Sequence, residues 1–402
     1  MHSARDRQLI FASAFLRALA TGYIGVLLGL YLARMAFTPM QIGATVSAGL
    51  AGAIVAACFV TFGSDSSNRR RTLIALAALS AVGGMGAMFA DSFPIALLVT
   101  FLGMINGHGR DRGAALVLEQ AIIPMTATDR ERTRVFARYN VLQDTGHGIG
   151  ALLAALPDWF IRHGGVDPAL AFQCALLLYA LLFVAQTILA TRLSTAIENV
   201  VQDGPRVRLA ISPESRARIG RISALFALDS VAGGFLGASL LAYIFHTSFQ
   251  ATDTAIALLF VGARTLNAFS HLGAAWLARR IGLVNTMVFT HIPSSVLLMT
   301  VSIAPNFQIA ALLFLLREGL VEMDVPTRQS YVMAMVKPEE RTFASGVTHL
   351  VRLGGWAIGP VFAGLVMQSI SIGAPLIVGG AMKIAYDGLL WLSFRHVKPP
   401  EE

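Results

Sequence analysis

The chain has 402 residues, 55% of them hydrophobic and only 13% charged, with a mean hydropathy of +0.65; a water-soluble domain carries about 25% charge, so this sequence cannot cover a water-facing surface and must meet lipid over most of its length. The net charge of +8 and pI near 10.0 do not point to nucleic acid, because the basic residues sit in short segments between apolar runs and form no continuous stripe. Cys58 and Cys174 lie inside apolar segments, with neither a disulfide framework nor a metal-ligand spacing around them, and the chain has no nucleotide motif or nucleophile elbow that would make it an enzyme or demand a cofactor.

Apolar runs of about 20 residues predict membrane-spanning helices. They fall at 8–33, 40–62, 72–91, 94–125, 133–156, 168–190, 219–245, 252–277, 284–304, 307–335, 343–369 and 375–394, an all-α membrane protein of about twelve spans. Turn signals separate them at Thr38-Pro39, Asp91-Ser92-Phe93-Pro94, Pro157-Asp158, Pro305-Asn306 and Gly373-Ala374-Pro375. Arg5 and Arg7 precede an apolar stretch that continues to Leu32, too long for a signal peptide, so it reads as the first span.

One alternate set of connections holds Arg69–Arg71, Arg130, Arg132 and Arg134, the arginines between Arg192 and Arg221, Arg279, Arg280, Lys337 and Arg341. The other set holds only Arg34 and Arg162. The positive-inside rule then places both termini in the cytoplasm, which requires an even number of spans. The polar segment 193–217, with Asp203-Gly204-Pro205 and Ser212-Pro213, reads as a cytoplasmic linker between six-helix halves at 1–192 and 218–402.

The halves repeat each other at a nearly constant offset. Arg17, Gly22, Gly25 and Tyr31 stand opposite Asp229, Gly234, Gly237 and Tyr243; Arg132, Gly146 and Gly150 stand opposite Arg341, Gly355 and Gly359. Several such matches in order are the mark of a duplicated unit, a common transporter plan.

Asp65 followed by Arg69, Arg70 and Arg71 after the second span, with a second copy at Arg279-Arg280-Ile-Gly282 after the eighth, resembles the signature loop of the major facilitator superfamily. Ser66, Asn68 and Thr61 depart from that pattern. The resemblance covers the whole chain and implies two pseudo-symmetric six-helix halves that move a solute by alternating access. It also implies that Asp65, Arg69, Arg70, Arg71, Arg279 and Arg280 form gating loops, with Asp65 accepting from helix amides near Thr342.

Charges inside spans are expensive and therefore informative. They concentrate on spans one (Arg17), four (Arg110, Asp111, Arg112, Glu119), seven (Asp229) and ten (Arg317, Glu318, Glu322, Asp324, Arg328), the helices that line the central cavity in the family this chain resembles. Arg17, Asn106, Arg110, Arg112, Arg317 and Arg352 are candidate substrate ligands. Asp229, Asp144, Glu119, Glu318 and Glu322 are candidate proton carriers, because neighbouring carboxylates in low dielectric suit proton uptake. Arg17 and Asp229 are expected either to pair or to divide substrate anion and proton between them. Helical periodicity sets Arg110 and Arg112 on opposite faces and aligns His108, Arg112 and Glu119. Glu318 and Glu322 form an acidic pair that Arg352 could neutralise, and Lys383 neutralises Asp387 one turn away. His147 and His349 are possible relays.

Gly146-x-x-x-Gly150 and Gly355-x-x-x-Gly359-Pro360 resemble a family antiporter motif, although small residues also serve helix packing. The expectation is a proton-coupled exporter of a polar or anionic small molecule, monomeric, in a bacterial-type inner membrane. Import of an organic anion by proton symport is the second reading, and a non-transporting membrane sensor the third.

Overall fold

The structure is a computed structural model, and it describes residues 2–60, 68–111, 113–126, 132–198, 212–334 and 341–394. Among these it is built from helices. They are α1 (His2–Arg34), α2 (Pro39–Cys58), α3 (Arg69–Ala87), α4 (Phe93–Gly103), α5 (Ala114–Ile122), α6 (Arg132–Leu153), α7 (Leu156–Gly164) and α8 (Pro168–Thr191), then α9 (Pro213–Gly234), α10 (Ala238–Phe249), α11 (Asp253–Ile281), α12 (Leu283–Val301), α13 (Phe307–Val321), α14 (Asp324–Ala334), α15 (Arg341–Ser369) and α16 (Ala374–Phe394). Among the described residues, seven helical segments are long and apolar enough to cross a membrane, including Ala4–Arg34, Pro168–Thr191 and Ala374–Phe394.

Starts follow local chemistry. Thr38 accepts from the Gln41 amide while the Gln41 side chain accepts from the Thr38 amide, and Pro39 opens α2. Asp167 accepts from the amides of Ala169 and Leu170 ahead of α8. Asn306 caps α13 through the Ile309 amide. α8 leaves Leu177, Leu181, Val184 and Ile188 exposed about one turn apart, a stripe that only lipid or another protein would cover.

Three expected spans are broken. Span four divides into α4 and α5, span seven into α9 and α10 at Phe235–Gly237, and span ten into α13 and α14 at Glu322–Met323. Apolar patterning registers composition and cannot see these interruptions. The Pro157-Asp158 turn is also corrected. Pro157 sits in the first turn of α7, where proline suits a helix start, and Arg162 donates to Asp158 at 2.7 Å one turn on.

Contacts divide the chain into two compact units. The first comprises Met1–Asp203, Gly237–His246 and Ala251–Val261; the second comprises Gly204–Leu236, Thr247–Gln250 and Gly262–Glu402. The first unit thus takes in stretches beyond 1–192. Of the expected linker 193–217, residues 199–211 lie outside the described residues.

In the first unit α1 packs on α6 and α8, and α3 on α4 and α8. Ile10, Leu118, Ile122, Tyr139 and Ile197 belong to one apolar cluster there. In the second unit α9 packs on α15 and α16, and α12 on α13, α14 and α16, around Ile222, Phe226, Met287, Tyr331 and Tyr386.

The repeat-related glycines perform the same task in both units. A Cβ on Gly150 of α6 would lie 2.1 Å from the Leu19 carbonyl of α1, and one on Gly359 of α15 would lie 2.5 Å from the Val231 carbonyl of α9. Both are backbone collisions that only glycine avoids. This close approach accounts for the Gly-x-x-x-Gly spacing without reference to the direction of transport.

Candidate functional site

The first cluster is built around Arg17, half-way along α1 and 5% exposed. Its Nε donates to Asp111 Oδ2 at 2.5 Å, and its two terminal nitrogens donate to Glu119 Oε1 and Oε2 at 2.5 and 2.6 Å. The latter is a bidentate fork, the geometry guanidinium and carboxylate favour. Tyr139 of α6 donates to Glu119 Oε2 at 2.7 Å. Glu119 is fully buried, so both of its oxygens are satisfied by one cation and one phenol.

The break between α4 and α5 delivers Asp111 to this cluster. Met104 closes α4 in the left-handed region at φ 51°, and Gly109 follows at φ 78°. Asn106 folds the intervening loop by accepting from the His108 amide at 2.9 Å and donating to the Arg110 carbonyl at 2.6 Å. Gly25 of α1 lets the backbone of Gly109 approach, since a Cβ there would stand 2.4 Å from Gly109 Cα. The Asp111 amide then donates to His147 Nε2 of α6 at 3.2 Å. That bond requires the His147 proton on Nδ1, an assignment drawn from the network.

Beside this cluster lies a partly open pocket lined by Arg17, Thr21, Ser80, Asn106, Asp111 and Gln186 among others.

The helical geometry expected for span four therefore does not hold. Residues 104–113 are not helical where described, so the stripe through His108, Arg112 and Glu119 does not form. Asn106 is spent on its own loop, and Glu119 is held by Arg17. Arg110 sits half-buried beside the cluster, and Arg112 lies outside the described residues.

The second cluster is built around Asp229 on α9, the repeat counterpart of Arg17 and 3% exposed. Lys383 of α16 donates to its Oδ1 at 2.9 Å, Arg352 of α15 to its Oδ2 at 3.1 Å, and Arg328 of α14 stands 3.8 Å away. Arg328 is also paired with Asp324 one turn back on α14. The Arg352 guanidinium lies over the Trp356 ring at 4.6 Å.

His291 of α12 closes the chain of contacts. Its Nδ1 is 3.0 Å from both oxygens of Asp387, and its Nε2 is 3.4 Å from Lys383 Nζ.

Several expectations are corrected here. Lys383 and Asp387 do not pair with each other; His291 stands between them. Arg352 meets Asp229 and not the Glu318–Glu322 pair, whose first member is bonded to Arg317 on the adjacent position. Glu322 is buried at the turn between α13 and α14, so the two glutamates do not share a continuous helix. Arg17 and Asp229 each have counter-ions within their own unit. Asp144 and His349 are exposed.

At the loops, Arg69 donates to the Ile197 carbonyl at 3.5 Å and Arg70 to the Thr191 carbonyl at 2.5 Å. Arg71 and Arg279 are exposed, and Arg280 stacks over Trp276 at 4.5 Å. Asp65 lies outside the described residues, and with it the expected latch.

Tyr139 and the roles of Asp111, His291, Lys383 and Asp387 escaped the sequence reading. The available signal was weak: a lone histidine in one apolar span, and a lysine and an aspartate one turn apart in another.

The family model of the Major Facilitator Superfamily matches residues 10–316 and 219–402. The uncharacterized membrane protein YJR124C of Saccharomyces cerevisiae is 25% identical over 427 residues, covering 98% of this chain and 94% of that protein. Among solved structures, the nucleoside transporter NupG superposes with a TM-score of 0.74 at 12% identity, covering 98% of this chain and 99% of the other. A bacterial homologue of the human lysosomal transporter Spinster, in an inward-facing and occupied conformation, gives 0.73 at 14%, covering 98% and 97%. The xylose transporter XylE from E. coli gives 0.69 at 13%, covering 100% and 99%. At these identities the structures establish shared fold alone, while the family model spans nearly the whole chain: the protein belongs to the Major Facilitator Superfamily of membrane transporters.

Proposed function

We propose that the protein is a proton-coupled secondary transporter that carries a polar small molecule by alternating access, as a monomer in a bacterial-type inner membrane with both termini cytoplasmic. The observation that carries this reading is the Asp229 cluster. A charge buried in a membrane protein is expensive and marks a functional path by default. Here one buried carboxylate shares three cations drawn from three helices, with a histidine and a further carboxylate in contact. Such a set can exchange partners when one member gains a proton.

Arg17, Arg317 and Arg352 each meet a carboxylate of their own unit. That favours a polar solute over a strongly anionic one, because an anion would have to displace a buried carboxylate. The glycine spacing that suggested export is accounted for by helix packing, so the reading carries no direction.

The test is reconstitution into liposomes with a trapped pH dye and a panel of sugars, nucleosides, amines, organic anions and drugs. Solute-dependent proton movement that Asp229→Asn abolishes is expected, and its sign assigns antiport or symport. A labelled solute crossing with no proton movement would sink the coupling.

A further inference from the structure

Asp387 of the second unit differs from the buried carboxylates Asp229, Asp324 and Glu318. Asp229 meets lysine and arginine, Asp324 meets Arg328 and Glu318 meets Arg317. Asp387, fully buried, meets only His291 among the described residues. Its counter-group can therefore gain or lose a proton, whereas an arginine cannot.

The geometry also fixes where the histidine carries its proton. An ammonium has only donors, so the 3.4 Å approach of Lys383 Nζ engages a lone pair on His291 Nε2. The ring proton is then on Nδ1, donated to Asp387. A neutral imidazole thus bridges an ammonium and a carboxylate, and the same ammonium donates to Asp229 at 2.9 Å. Asp387, His291, Lys383 and Asp229 form one continuous chain across α16, α12 and α9.

The proton and the lysine compete for one nitrogen. Arg317 from α13, Arg328 from α14 and Asp229 from α9 also act electrostatically on the ring, and Asp324 from α14 acts on Asp387; the two arginines hold Glu318 and Asp324. Trp356, stacked on Arg352, joins this network through Asp229.

We infer that His291 and Asp387 form a proton-loading site and that Lys383 reads its state: a proton taken at His291 Nε2 expels the Lys383 ammonium from the ring and leaves it to Asp229 alone. One N–H bond forms, one hydrogen bond breaks, and release of the proton reverses both. The exchange re-pairs α16 between α12 and α9, which converts protonation into a change of helix contacts. The inference rests on the proton coupling proposed above and names the groups that perform it.

The experiment uses the full-length protein in lipid nanodiscs with ¹⁵N-labelled histidine. The chain has nine histidines, so His291 is assigned by the resonance lost in His291→Gln or His291→Asn. Near neutral pH the ring is expected to be neutral and protonated on Nδ1, taking a second proton on acidification. Lys383→Met, or Lys383→Gln, raises its proton affinity by about tenfold or more, and Asp387→Asn lowers it comparably. A ring protonated on Nε2, or a proton affinity indifferent to both lysine variants, overturns the inference. Should the lysine variants fail to fold, the wild-type tautomer and the Asp387→Asn shift decide it. Failure of the transport reading would look different: no solute would move protons in liposomes while the ring still behaved as described.

Discussion

Arg17 and Asp229 occupy the same place in the internal repeat and carry opposite charge, and the two units neutralise them in different ways. Arg17 is closed off. Its guanidinium is shared between Asp111 and Glu119, and Tyr139 completes Glu119. Asp229 is open-ended. Its cations come from three helices, and Lys383 leads on to a titratable pair. A closed network rigidifies the helices it joins, whereas a chain with an exchangeable member can switch. The comparison therefore assigns a structural task to the first cluster and a dynamic one to the second.

The comparison can be broken most forcefully at Arg17. Arg17→Leu strands two buried carboxylates, and removing one partner of a buried pair costs about 3–5 kcal/mol. Size-exclusion profiles and melting curves of the purified protein should show outright loss of folded material, and a monodisperse variant with native melting would refute the structural assignment. Asp229→Asn should instead leave folded protein that moves no protons. Combining it with Lys383→Met should recover part of the lost stability, because both members of a pair are removed together; a double-mutant cycle reads that coupling, at about 0.5–3 kcal/mol. Strictly additive effects would mean that Lys383 and Asp229 do not interact.

A smaller effect is expected at the helix interface. Gly150→Ala forces a methyl against the Leu19 carbonyl and should cost about 1–3 kcal/mol. Gly148→Ala, two residues earlier on α6 with nothing within 4 Å of its Cβ position, should be neutral or slightly stabilising. Equal melting shifts for the two would remove the packing explanation of the glycine motif. The smallest change is Tyr139→Phe, which deletes one hydrogen bond to Glu119 and should lower stability by about 0.6 kcal/mol, a typical value for such bonds inside membranes.

Much of the fold was legible because lipid imposes a simple rule. A backbone in hydrocarbon must satisfy its own hydrogen bonds, so a long apolar run is a helix whatever its neighbours are. That is why α1, α2, α8, α12 and α16 lie where hydropathy puts them. The same rule made Arg17 and Asp229 stand out, since a charge in such a run needs a reason. Even the glycines of α6 and α15 were visible as a spacing, although the partner that required them was not.

The breaks in spans four, seven and ten were invisible, because they depend on what lies beside the chain. Glycines at 103, 107, 109 and 113 permitted a loop; the close passage of α1 at Gly25 and the turn made by Asn106 are what shaped it. Charge pairing between helices was equally beyond the sequence, although the one-turn pairs Asp324–Arg328 and Asp158–Arg162 follow helical spacing. Spacing along one helix predicted Lys383 with Asp387 and Glu318 with Glu322, yet Lys383 meets Asp229 and His291, Asp387 meets His291, and Glu318 meets the adjacent Arg317. The sequence alone thus determined that this is a helical, duplicated membrane protein with charges on particular spans. Only the tertiary structure decided which charges neutralise one another between helices, because electrostatic energy inside low dielectric depends on distances of a few ångströms that no one-dimensional pattern contains.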